Sequence, residues 1–159
     1  MDGWKLRFRV LTHGIAGVIV LCLGFGTGFG GTVQPPVSND PLEGIWELTS
    51  VEVEGETNQG SEMLLTCQKG SYTLKIGDRQ IEAGKYKIDA QANPKTIDLE
   101  ITDGDDRGKK QLGIWKKEGD QLTVCFAFPA AEVRPKEFTG AKGSKQILVR
   151  LKKRPAQAR

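Results

Sequence analysis

Histidine is almost missing from this chain: the single one, His13, lies inside an apolar N-terminal stretch. Beyond that stretch no Ser-His or Cys-His nucleophilic pair and no histidine-based zinc site can be built. Cysteine is scarce too, with Cys22, Cys67 and Cys125 alone among 159 residues. Cys22 follows Leu21, whereas a lipid-modified cysteine wants a small residue before it, so a lipid anchor is not expected. Sustained 3.6-residue periodicity is absent, which argues against a helical domain. Carboxylates make no convincing site either. Asp103-Gly104-Asp105-Asp106 has the spacing of a calcium loop but lacks its downstream glutamate, and it reads as a solvated hairpin tip. Asp98 and Glu100 share one strand face without an opposing partner, which makes a wet face and no acid/base pair. No catalytic residue, cofactor or metal is therefore expected.

What is present begins with an export layout. Lys5, Arg7 and Arg9 precede an apolar core at 15–25, too short for the ~20 residues that span a bilayer. Residues 1–32 read as a hydrophobic export helix, either a signal peptide cut near the small residues that follow or an uncut anchor. A buried core helix is the third reading, poorly suited to the glycines at 24–31. Residues 33–41, with three prolines, read as a stiff linker. The expected location is outside the cytoplasm: periplasmic, extracellular, or tethered to the membrane through the N-terminal segment. Lys145, Arg150, Lys152, Lys153, Arg154 and Arg159 leave a basic C-terminal end with no acid, read as solvated; export also argues against a nucleic-acid partner.

From residue 42 to 153 apolar residues alternate with period two in short runs: 44–54, 62–68, 71–77, 80–89, 95–102, 109–117, 120–128 and 145–153. Met63, Leu65 and Cys67 fall on one face, as do Leu122, Val124, Phe126 and Phe128, and Ile147, Val149 and Leu151. Turn signals such as Lys69-Gly70, Gly77-Asp78 and Glu118-Gly119-Asp120 separate the runs. The apolar phase slips once between Leu48 and Val51 and once across Gly84, as a β-bulge would make it. The fold class is all-β: a small antiparallel eight-stranded up-and-down barrel, with a two-sheet sandwich as the alternative. Residues 154–159 form a basic tail.

Gly44-Ile45-Trp46, opening the first run, resembles the signature of the lipocalin and calycin barrels. More of the chain is similar to a narrower group, the lipocalin-like exported domains of unknown function abundant in planctomycete bacteria. The resemblance runs through Leu42-Glu-Gly-Ile-Trp46, Gly84-x-Tyr86-x-Ile88-Asp89, Pro94-Lys-Thr-Ile-Asp98, Gly113-Ile-Trp115, Cys125-Phe-Ala127 and Arg134-Pro-x-x-Phe138. Trp115 departs from it, since relatives more often carry tyrosine there. It implies a lipocalin-like barrel in which Gly44 and Trp46 close one end and a late basic residue, Arg150, stacks on Trp46. It implies no activity.

Two cysteines in an exported domain raise a disulfide between Cys67 and Cys125. The alternation sets them on opposite faces, so two small hydrophobes are the other reading. The segment 129–144 is the longest irregular stretch, read either as a lid at the barrel mouth or as a cover folded back on the wall. The function expected is non-catalytic binding of a small apolar or amphipathic ligand, with Tyr72, Tyr86, Trp115, Arg134 and Phe138 as lining. The alternative is an envelope module, binding a protein partner or purely structural, with a packed interior.

Overall fold

The computed structural model describes residues 39–60 and 62–155. Contacts divide the chain between Pro35 and Pro36, and the second unit is the one described here. The export segment, most of the linker and the end of the basic tail lie outside the described residues.

The strands are β1 (Gly44–Val53), β2 (Glu56–Gln59), β3 (Met63–Gln68), β4 (Ser71–Ile76), β5 (Arg79–Asp89), β6 (Thr96–Asp103), β7 (Lys110–Glu118), β8 (Gln121–Ala127) and β9 (Gln146–Lys153). Apart from β2 they follow one another in space as in sequence, and β9 pairs back on β1 to close the ring. That closure decides between barrel and sandwich: it removes the free edges a sandwich would keep. The eight long strands agree with the alternating runs to within one residue at each end. β2 is the addition. Its four residues, Glu-Thr-Asn-Gln, are all exposed and carry no apolar periodicity. It exists because the chain after the turn at Glu54-Gly55 runs back along β1, covering Ser50–Val53, before β3 takes over at Gly44–Glu47.

Both phase slips read from the sequence fall on irregular pairings. β1 shifts register against β9 between Leu48 and Ser50, and β5 shifts against β6 between Ala83 and Gly84. A third shift, between Leu74 and Lys75 of β4 against β5, has no counterpart in the apolar pattern.

The sequential order sets the two ends of the barrel. The start of β1, the Lys69-Gly70 turn, the 90–95 loop and the end of β9 lie at one end; Glu54-Gly55, Gly77-Asp78 and the 104–109 loop lie at the other. Two apolar clusters result. The inner one fills the barrel and includes Leu42, Trp46, Leu48, Cys67, Tyr72, Tyr86, Trp115, Leu122, Val124 and Leu151. A second, with no member in common, consists of Ile114, Cys125 and Leu148 with Phe138 packed on it. These residues alternate with inner-cluster residues along β7, β8 and β9, so they lie on the outer face of the wall.

Candidate functional site

The end where β1 starts is sealed. Leu42 and Trp46 are fully buried, and the Trp46 indole N–H donates to the Leu42 carbonyl at 2.8 Å. Asp40 joins the seal from the linker side: its carboxylate accepts from the Leu42 amide at 2.9 Å and from the Tyr86 hydroxyl. The domain is therefore tied down from Asp40, ahead of the first strand. The basic residue over the Trp46 ring is Lys153, 5.5 Å from its centroid. This corrects the expectation for Arg150. Leu151 and Val149 point inward, so Arg150 between them points out, where it meets Glu52 at 3.9 Å. Lys153 is in phase with the inner face and directly opposite Trp46 in the ladder.

Tyr72, Tyr86 and Trp115 are buried in this same interior, and each polar tip has an internal partner. The Tyr72 hydroxyl donates to Glu82 at 3.0 Å, and the Trp115 indole N–H donates to the Thr96 carbonyl at 3.0 Å. Lys95 lies over the Trp115 ring, 5.0 Å from its centroid. Burial foremost, then Glu82 for Tyr72 and the Asp40 hydrogen bond for Tyr86, push both phenols above the usual tyrosine range. The three aromatics fill the interior: Tyr86 and Trp115 reach Asp40 and Thr96 at the sealed end, and the Tyr72 hydroxyl reaches Glu82 toward the other. As a joint lining with Arg134 and Phe138 they are a correction, because the barrel wall stands between the two groups.

Near the opposite end Val53, Met63, Phe126 and Phe128 are half-buried against the inner cluster, around a buried Ile147; Leu65 and Ile88, also half-buried, lie nearer the sealed end, Leu65 opposite Trp46 in the ladder. This apolar rim was not singled out from the sequence, although the alternation names most of its members. Periodicity gives the face of a residue and says nothing of its height along the barrel axis.

Residues 128–145 leave β8 at this open end and cross the outer wall as a strap. Phe128 N–H donates to Lys145 O at 3.2 Å, closing its base. Arg134 Nη1 donates to the carbonyls of Ile97 and Gly113 at 3.1 and 2.7 Å, while Nη2 pairs with Asp98. Phe138 covers Ile114, Cys125 and Leu148, with Lys116 5.7 Å above its ring. Gly140 then meets β1 so closely that a Cβ on it would stand 2.2 Å from the Glu52 carbonyl oxygen. Its own carbonyl accepts from the Gly55 amide at 2.8 Å. Ile114, Cys125, Leu148 and Glu52 are successive ladder partners across β7, β8, β9 and β1, so the strap tracks one cross-strand row.

The wall also decides the cysteines. Cys67 belongs to the inner cluster and Cys125 to the outer one, and both are free thiols, which corrects the disulfide weighed from the export context. Burial, with a smaller contribution from the Asp40 charge, pushes the Cys67 thiol up to about 12. Burial raises Cys125 as well. Its Sγ lies 3.4 Å from Thr139 O and 3.3 Å from Gln146 Oε1, two acceptors for one proton.

Between the strap and the 92–96 loop runs an open cleft of about 480 Å³. Pro94, Thr96 and Ile114 form one side; Glu132, Val133, Pro135 and Lys136 form the other. Val133 is 74% exposed there. Among the described residues no three acidic, cysteine or histidine side chains gather as a metal site.

The chain matches no known protein-family profile, and no solved structure matches it. A stretch of 83 residues is 28% identical to the pre-mRNA-splicing factor SYF1 of Candida glabrata, covering 46% of this chain and 10% of that protein. A closed barrel needs all of its strands, so a likeness over less than half of the chain carries neither fold nor activity.

Proposed function

We propose that the protein is an exported, lipocalin-like barrel that binds and does not catalyse, taking a small apolar or amphipathic ligand at its open end. The observation behind this is the gradient along the barrel. Trp46, Tyr86 and Trp115 fill the sealed end with their polar tips partnered, and Val53, Met63, Phe126 and Phe128 stand half-buried at the open end. Half-buried apolar side chains that converge on one rim gain most from a ligand that completes their burial. With Tyr72, Tyr86 and Trp115 already occupying the depth, such a ligand sits shallowly. Nothing in the gathered side chains builds a nucleophile with its base, so binding suits the geometry better than turnover.

A second reading, a cell-envelope module acting through its outer surface, is favoured by the exposed Val133 beside the outer cleft. Titration of the full chain with the fluorescent apolar probe N-phenyl-1-naphthylamine separates the two. On the first reading, Phe128→Ser weakens saturable binding about 10-fold, the affinity equivalent of losing much of one phenyl burial, and Val133→Ser leaves it unchanged. The reverse pattern moves binding to the outer surface. No saturable binding by the folded chain removes the first reading.

A further inference from the structure

The outer cluster is built differently from the inner one. Cys67 lies inside the barrel beside the Asp40–Leu42 seal, on the other face of the wall from the strap. Cys125 is covered by the strap and by the Gln146 side chain at the start of β9. No part of 128–145 forms a strand, and its anchors are discrete: the Ala130 amide on the Lys110 carbonyl, Arg134 on the β6–β7 carbonyls, Phe138 on the three outer residues, and Gly140 with Gly143 at the end of β1. Both feet of the strap stand together, through Phe128 and Lys145, at the open end of the barrel. Lifting it alters no strand register.

Phe138 is flanked by two of these anchors, Arg134 before it and Gly140 after it.

We infer that the strap is a separately releasable lid of the outer wall: it lifts while the barrel stays closed, baring Ile114, Cys125 and Leu148, and so gates access to the Cys125 thiol. Local opening of this kind is expected of a segment with few buried apolar contacts and no ladder bonds of its own. The inference stands apart from the proposed function, because it concerns the opposite face of the wall.

Peptide-resolved maleimide labelling of the full native chain tests it, with Cys22, Cys67 and Cys125 followed separately. Cys125 is expected to label about 100-fold faster than Cys67, whose exposure requires the sealed end or the barrel itself to open. Phe138→Ala is expected to accelerate Cys125 about a further 10-fold and leave Cys67 unchanged. Arg134→Gln, which removes an anchor without emptying the apolar contact, moves the rates in the same direction and serves if Phe138→Ala fails to fold. One common rate for both thiols, with the same dependence on denaturant, overturns the inference. So does a fast Cys125 whose rate neither variant changes, because the strap is then not what covers it.

Discussion

Gly-Ile-Trp occurs twice in this barrel, as Gly44-Ile45-Trp46 in β1 and Gly113-Ile114-Trp115 in β7. The tryptophans behave alike: both point inward, both are buried, and both indoles donate to a backbone carbonyl. The other two residues differ. Gly44 has φ 132°, a conformation that favours glycine, at the entry to its strand. Gly113 has no such backbone; its missing Cβ leaves the space that the Phe126 ring occupies, which a Cβ would meet at 2.6 Å. Ile45 is 43% exposed, and Ile114, equally on the outer face, is 1% exposed. The local sequence is identical, so the difference comes from elsewhere in the chain. The strap covers one outer face and leaves the other in water.

The largest effect expected from that contrast falls on the isoleucines. Ile114→Ala should cost about 2–4 kcal/mol, because it opens a cavity under Phe138, while Ile45→Ala should cost less than about 0.5 kcal/mol. Urea unfolding of the two variants measures this. Equal losses would mean that the strap does not bury the outer row as tightly as its contacts imply.

Most of the fold was legible in the sequence because period two is a local signal, and eight strands repeat it. The same signal could have disclosed the outer cluster. Alternation fails at Ile114-Trp115, Val124-Cys125 and Leu148-Val149, in three successive strands, as it must where a wall is buried on both faces. What no local pattern contained is the segment that does the covering. Phe138 reaches Ile114, Cys125 and Leu148 through tertiary contact alone. The candidate site was less legible still. Alternation puts Tyr72, Tyr86 and Trp115 on the inner face, but their depth depends on how strands of differing stagger meet around the ring.

Each isoleucine segment has a cysteine opposite it in the ladder: Cys67 faces Gly44 and Cys125 faces Ile114. Alkali sharpens the contrast from the inner side. The folded Cys67 thiol is raised to about 12 from an ordinary value of 9.0. The fold thus favours the neutral form, so its contribution is fully present below pH 9 and is lost as pH rises through 12. By about pH 10.5 the loss should be roughly 2 kcal/mol. Tyr72 and Tyr86, also raised, add losses of the same sign at higher pH. Stability measured in urea across this range should fall less steeply in Cys67→Ala, once its lower starting stability is subtracted. An unchanged slope would assign the alkaline loss to the phenols and to Cys125, whose thiol burial also raises.

The smallest effect bears on how the first Gly-Ile-Trp closes the barrel. Lys153 lies across Gly44 and over the Trp46 ring, with Cε 3.1 Å from where a Gly44 Cβ would stand. A cation over an indole at a partly exposed site contributes about 0.5–1 kcal/mol, and the lysine stem adds cover to the ring. Arg150, three ladder rows from the seal and facing water, makes a long ion pair with Glu52, which contributes little. Lys153→Ala should therefore destabilise the barrel by about 1 kcal/mol and increase quenching of Trp46 fluorescence by acrylamide. Arg150→Ala should change the stability by less than about 0.5 kcal/mol and leave the quenching alone. If Arg150→Ala were the one to expose the tryptophan, the strand phase that turns residue 150 outward would have to be wrong, and with it the placement of Leu148 under the strap.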